Sequence, residues 1–438
     1  MRKIAICWFA VVSMLVLLPT AWCGESVPGN STNPAAVQEV LSGKREVANA
    51  AWWGFDLLDS TTALQGAINS GASKVIVPNM GREWIVRPIK LANNQELLFD
   101  PNVVVVAKKG AFRGKRDYLF SGTEITNVTL RGYRATLKMR KKDYQRSQYP
   151  KSEWRHILAF YGCSNINVLG LTLESSGGDG ISLGATKDAR DLPCRNIRIQ
   201  DCVCSDNYRQ GISVASVDTL RIENCVLSNT KGTPPMAGID LEPDTALCRL
   251  SNVVISNCVS KNNTGPGFQV HLGKLDSGSK AVTVLFVDSY VESFGGDGLL
   301  ISSIPVDLVP GLIEFRNCTV EGVKYAGLYI LDKNSDAVKL RFDNCEWRYV
   351  ATAQFRSPID LSWLAKIRRD MQESIIFESC RVYDNRDRPF LRIRGLEGGR
   401  SAGVCGDITV YSKYDTAVGG ERHGQLVGLQ INRVSRTP

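Results

Sequence analysis

Histidine is scarce in this sequence, with three in 438 residues, and no histidine or second cysteine pair flanks the cysteines at zinc-ligand spacing. A zinc protein is therefore not expected. Beyond the first eighteen residues no apolar run approaches the roughly 20 needed to span a bilayer, so no transmembrane segment is expected. The apolar stretch that exists, Ile4 to Leu18, follows Met1-Arg2-Lys3 and precedes small residues around Ala21 and Cys23 or Gly24. This is the pattern of a secretory signal peptide over residues 1–23, cleaved near Cys23/Gly24. Trp22, directly before the cysteine, weighs against acylation of Cys23. The expectation is a secreted or periplasmic monomer, with a linker over 24–50 and one domain over 51–438, of which 51–74 form an N-terminal cap.

Formal net charge is +9. Lys109, Arg113, Lys115, Arg116, Arg131, Arg134, Lys138, Arg140, Lys141, Lys142, Arg146 and Lys151 all fall between Lys108 and Arg155. Export excludes nucleic acid as the partner. The segment reads either as a solvated basic face or as a surface for an anionic polysaccharide.

Thirteen cysteines in an exported chain would ordinarily suggest disulfides. Their placement suggests another role. "LRIENC", "VVISNC", "IEFRNC", "LRFDNC" and "IIFESC" end at Cys225, Cys258, Cys318, Cys345 and Cys380, and "IRIQDC" ends at Cys202. Ser289 in "LFVDSY" fills the one long gap. Short alternating strands at a period of about 23 to 35 residues, with no helical pattern between them, mark a solenoid. The cysteines then form an inward ladder as small apolar residues. About ten residues after each comes a second strand: "RHILAFY", "GDGISLG", "RQGISVA", "MAGIDLE", "GPGFQVH", "GDGLLIS", "YAGLYIL" and "RSPIDLS". Gly180, Gly211, Gly238, Gly267, Gly298 and Gly327 precede these strands, as a tight corner requires. The fold class is all-β, a right-handed parallel β-helix of about ten turns. A helix from Ser60 to Ile68 would cap its open end. "DLSWLAKIRRDMQES", Asp360 to Ser374, reads as a helical insertion.

From the capping helix to the last repeat the chain resembles the exported right-handed β-helix proteins of the pectate-lyase-like superfamily. That resemblance implies a polysaccharide ligand and leaves open hydrolases, lyases, epimerases and non-catalytic binders.

In "GIDLEPD" the carboxylates Asp240, Glu242 and Asp244 alternate, so they share a strand face. Writing the second strands in register stacks Ser182, Ser213, Asp240 and Gln269 in one outward column. Tyr161, Gly184, Ala215, Glu242 and His271 form another. The corner column reads His156, Asp179, Gln210, Ala237, Pro266 and Asp297, with Arg155, Gly178, Arg209 and Met236 one step earlier. Asp240, Glu242 and His271 are the candidate catalytic residues. Arg155, His156, Tyr161, Asp179, Arg209, Gln210 and Gln269 are the candidate substrate contacts. Residues i and i+2 of a strand put two carboxyls within reach of the roughly 6.5–9.5 Å separation of inverting glycosidases. A similar outward acid pair with nearby His and Gln occurs in some β-helix carrageenan hydrolases. The polygalacturonase corner motifs are matched at Asp179 alone.

These residues support a glycoside hydrolase acting on an acidic or sulfated polysaccharide, needing no cofactor. A polysaccharide lyase is the alternative, with Arg155 or Arg209 neutralising the substrate and Tyr161 or His271 as base. In that reading Asp179, Asp240 and Glu242 could hold Ca2+. A non-catalytic carbohydrate-binding or cell-surface β-helix is the third.

Overall fold

The computed structural model describes residues 32–435 apart from 187, 189, 190, 293, 294, 304–308, 334–336, 354, 368–370, 397–401, 415–417, 420–425 and 427. The expected signal peptide lies outside the described residues. Each turn lays down three short strands, and each strand pairs in parallel with its counterpart in the next turn. Among the described residues one ladder has twelve strands, from Ile89–Lys90 to Val418–Gly419, and carries the candidate site. The other two ladders meet at the cysteine corner. They merge into one 24-stranded sheet because Met371–Tyr383 runs unbroken through that corner. The chain is a right-handed parallel β-helix of about 11 turns. Among the described residues no helix is long and apolar enough to cross a membrane.

The Asn-Cys repeat has a backbone cause. Asn224, Asn257, Asn317 and Asn344 hold φ of 55°, 51°, 52° and 50°, the left-handed region that asparagine tolerates. Their amides bond along the axis, Asn344 Nδ2 donating to Asn317 Oδ1 at 2.8 Å and Asn317 Nδ2 to Asp288 Oδ1 at 3.0 Å. The bend turns the following cysteine inward, into the core. The described cysteines are free, and all but half-buried Cys405 are buried. Deeper in the core Phe268, Phe286, Phe315, Phe342 and Phe377 stack with centroids 5.1, 4.5, 5.4 and 5.1 Å apart.

The corner glycines answer to a different constraint from the one expected. A Cβ on Gly238 would lie 2.7 Å from the Gly267 carbonyl oxygen and 2.2 Å from Ser260 Oγ. Close approach of the next turn, rather than a left-handed φ, demands glycine there.

The expected cap helix is present at Thr61–Ile68, with Leu64 and Ile68 buried. Two expectations fail. The stretch expected as linker contains the helix Pro34–Leu41, with Asn33 accepting from the Ala36 N–H at 3.0 Å, and the strand Val47–Asn49, which pairs with Lys74–Val77. An Asn-Pro helix start and the buried faces of Ala36 and Val40 outweigh its polar composition. The expected helical insertion is instead the strand Ile359–Ile367 followed by Met371–Tyr383. Ile359, Leu361 and Trp363 alternate into the core, and this period-two burial overrides the helix propensity of the residues after them.

In the native protein the thiols of Cys202, Cys225, Cys258, Cys318, Cys345 and Cys380 should resist an aromatic disulfide reagent. Denaturant alone should release all of them. A titration that needs reductant to reach them would show that the ladder is oxidised.

Candidate active site

The twelve-stranded ladder sets the site's register. Ser182, Ser213, Asp240 and Gln269 are consecutive partners. Main-chain bonds from Ile157 to Asp179, Gly180 to Gln210 and Gly211 to Ala237 stack the corner column. The expected columns are therefore real, but the face is covered. Asp240 is 0% exposed, and Ser182, Ser213 and Gln269 are at most 8% exposed.

The cover comes from the basic segment. Arg155, buried, donates from Nε to the Phe112 carbonyl and from Nη2 to the Pro150 carbonyl, both at 3.0 Å. Its guanidinium packs on Tyr144 and Tyr149. Pinned in this way, the segment sends Glu153 across the face to within 3.7 Å of Arg209 and 3.5 Å of Thr233. Much of the segment's charge is locally paired, Lys108 with Asp59, Lys138 with Glu174 and Lys141 with Asp206.

Beside this crossing lies a cavity of about 180 Å³ lined by Arg116, Trp154, His156, Tyr161, Asp179, Ser182, Leu183, Gly184, Arg209, Ser213, Ala215, Glu242 and Asp244. Gly184 and Ala215 supply the missing bulk that opens it.

Asp179 sits at its buried end. Oδ2 is 3.2 Å from His156 Nδ1, and Oδ1 is 3.7 Å from Arg209 Nε. Burial pushes its carboxyl up to about 7, against the opposing charge of Arg209. His156 Nδ1 accepts the Asp179 main-chain N–H at 2.9 Å, so the neutral ring carries its proton on Nε2. Burial, then the charges of Arg209 and Arg116, holds its pKa well below the usual range. Tyr118 stacks on the ring at 5.4 Å. Burial, followed by the neighbouring Tyr118, raises the Tyr161 phenol; the two hydroxyls lie 3.2 Å apart.

Asp240 lies behind the cavity wall. Gln210 Nε2 donates to its Oδ2, and Gln210 Oε1 accepts from Arg209 Nε at 2.9 Å. Burial, then the charge of Glu242, drives its pKa well up. This pair therefore does not flank a sugar at the expected separation. His271 bonds Ser302 through Nδ1 at 2.6 Å and is not among the cavity residues, and neither are Arg155, Gln210 and Gln269.

Sequence reasoning missed Arg116, Trp154 and Tyr118. Leu158 pairs with Phe120, which sets Tyr118 beside His156 and Arg116 beside Trp154, where the guanidinium lies 5.2 Å over the indole. Starting the register at "RDYLFSG", one turn earlier, would have found them. Among the described residues no cluster of three or more His, Cys, Asp or Glu side chains is arranged to hold a metal ion.

Fold and site together define a right-handed parallel β-helix with an acid-lined cavity on one face. Residues 89–242 match the family model described as right handed beta helix region. The Bacillus subtilis SPbeta prophage-derived uncharacterized protein YorA is 24% identical over 163 residues, 35% of this chain and 28% of that protein. The chain therefore aligns with under a third of that relative's length. The Azotobacter vinelandii mannuronan C-5 epimerase AlgE4 A-module is similar in structure at TM-score 0.62 and 12% identity, covering 88% of this chain and 99% of the module. A Yersinia enterocolitica family 28 exopolygalacturonase is similar at TM-score 0.59 and 11% identity, covering 90% of this chain and 79% of that one.

Asp179 titrates higher folded than its usual 3.8. The folded state therefore binds the extra proton between those values, and this stabilisation is full below about 4 and is lost as pH rises through about 7. Denaturant midpoints of the wild type and Asp179→Asn should diverge across that window. The wild type should lose at most about 1.4 kcal/mol per pH unit more than the variant. Parallel curves would place the Asp179 pKa near its ordinary value.

Proposed function

We propose that the protein is a glycoside hydrolase that cleaves an anionic polysaccharide in the cavity between Asp179 and Glu242. The observation that carries this reading is that the cavity holds carboxyls from different turns, Asp179 on one and Glu242 and Asp244 on another, and that Asp179 keeps its proton up to about pH 7. A carboxyl that stays protonated near neutrality can serve as a general acid. Asp179 protonates the leaving glycosidic oxygen, and neutral His156 holds its main chain in place by accepting the Asp179 N–H. Glu242 activates the attacking water, with buried Asp240 two residues before it on the same strand face. Arg116 and Arg209 meet the substrate's anionic group, and Trp154 offers a face to a sugar ring. The anionic class of substrate is also suggested by the two fold neighbours, whose names refer to mannuronan and polygalacturonan. Export, as the N-terminal pattern suggests, would bring the protein to such polymers.

A lyase would need a base at neutral pH. Tyr161 is pushed away from that role by burial, and His271 stands outside the cavity.

Purified protein incubated with pectins, alginates, carrageenans and glycosaminoglycans should release reducing ends from an anionic member without near-ultraviolet absorbance. Asp179→Asn and Glu242→Gln should each lower kcat by about 10²- to 10⁴-fold, with His271→Ala close to wild type. The rate kcat/KM should fall above pH 7 as Asp179 loses its proton. Absorbance appearing with the reducing ends would establish a lyase, and no cleavage of any polymer would favour a binding protein.

A further inference from the structure

The sequence pattern that builds the first site occurs twice. "GGDG" ends at Gly180 and again at Gly298, and "IDL" follows two turns later at 239–241 and again at 359–361. Asp240, Gln269, Leu300, Tyr329 and Asp360 are consecutive partners in one column. The second copy therefore lies four turns along the same face, roughly 19 Å away at ~4.8 Å per turn.

Its surroundings differ in a way that changes the chemistry. Asp360 is fully buried, and three arginines converge on it: Arg356 at 3.4 Å, Arg394 at 3.7 Å and Arg392 at 4.0 Å. Arg356 packs 4.9 Å over Tyr329, and Arg392 donates to the Phe355 carbonyl at 2.6 Å. Phe355 is 61% exposed and leans on Tyr325 at 5.9 Å. Asp360 Oδ1, Arg356 Nε, Arg394 Nε and Ser362 Oγ are buried without a hydrogen-bond partner among the described residues. Asp360 and the neighbouring buried Asp297 are two carboxylates facing three guanidinium groups. The position matching Glu242, two residues past the aspartate, holds Ser362, so the second copy lacks the base assigned to the first.

We propose that Arg356, Arg392 and Arg394, with exposed Phe355, form a second, non-catalytic site that binds an anionic sugar unit of the same polymer. A planar guanidinium pairs with a carboxylate or sulfate through two parallel N–H bonds. The exposed ring beside it takes the apolar face of the sugar. This inference takes its ligand class from the function proposed above and adds a grip about four turns from the cleaved bond.

The test is affinity electrophoresis of the full chain, in the Asp179→Asn background, through gels containing polygalacturonate, alginate, κ-carrageenan or neutral dextran. The expected result is retardation by an anionic polymer and not by dextran. Arg392→Ala/Arg394→Ala should weaken it at least threefold. Phe355→Ala, whose exposed ring can be removed without disturbing the core, should do the same with an unchanged thermal midpoint. Carboxylated and sulfated gels tell the two anionic groups apart. Less than a threefold change in Phe355→Ala, equal retardation by dextran, or retardation by none of the polymers would overturn the proposal. Weakened binding in a protein that cleaves nothing would leave this site standing and remove the hydrolase. Cleavage with unchanged binding would do the reverse.

Discussion

Parallel main-chain hydrogen bonding between successive turns is the constraint on which everything else in this molecule depends. It holds neighbouring turns at about 4.8 Å and converts sequence repeats into columns of adjacent side chains. Inward columns become the cysteine ladder and the phenylalanine stack. The corner column brings the carbonyl of each turn so close to the next that only glycine fits at Gly238. On one outward face the same spacing brings side chains from five successive turns to one cavity.

Burial then decides what those side chains can do. A carboxyl on an open strand face would simply be ionised near neutrality. The segment pinned by Arg155 crosses the face, and under it Asp179 is fully desolvated while Arg209 opposes it from 3.7 Å. Desolvation prevails, and the group becomes a proton donor at neutral pH. Burial drives the His156 pKa down and leaves a neutral hydrogen-bond acceptor. The covering segment thus acts less as a charged patch than as the lid that gives the acids their character.

Most of the fold was legible in the sequence because period-two burial recurs from turn to turn and the Asn-Cys corner recurs at Cys225, Cys258, Cys318 and Cys345. The column of Ser182, Ser213, Asp240 and Gln269 was legible for the same reason. Three features were not. The helix Pro34–Leu41 falls outside the repeat and depends on what it packs against. Strands after Asp360 were hidden by residues of high helix propensity whose alternation shows only once Trp363 is seen inside. The roles within the site were hidden because columns give adjacency but not cover. Asp240 and Asp179 are both corner or strand acids in the sequence, and only the structure shows that Asp179 lines the cavity while Gln210 holds Asp240 behind it.

The account rests on Asp179 being a buried acid that holds its proton near neutrality. Carbon-13 carboxyl NMR of aspartate-labelled protein, with Asp179→Asn to assign the signal, measures this directly. The account predicts a titration midpoint near about 7 for the Asp179 resonance. A midpoint in the ordinary aspartate range near 4 would contradict it.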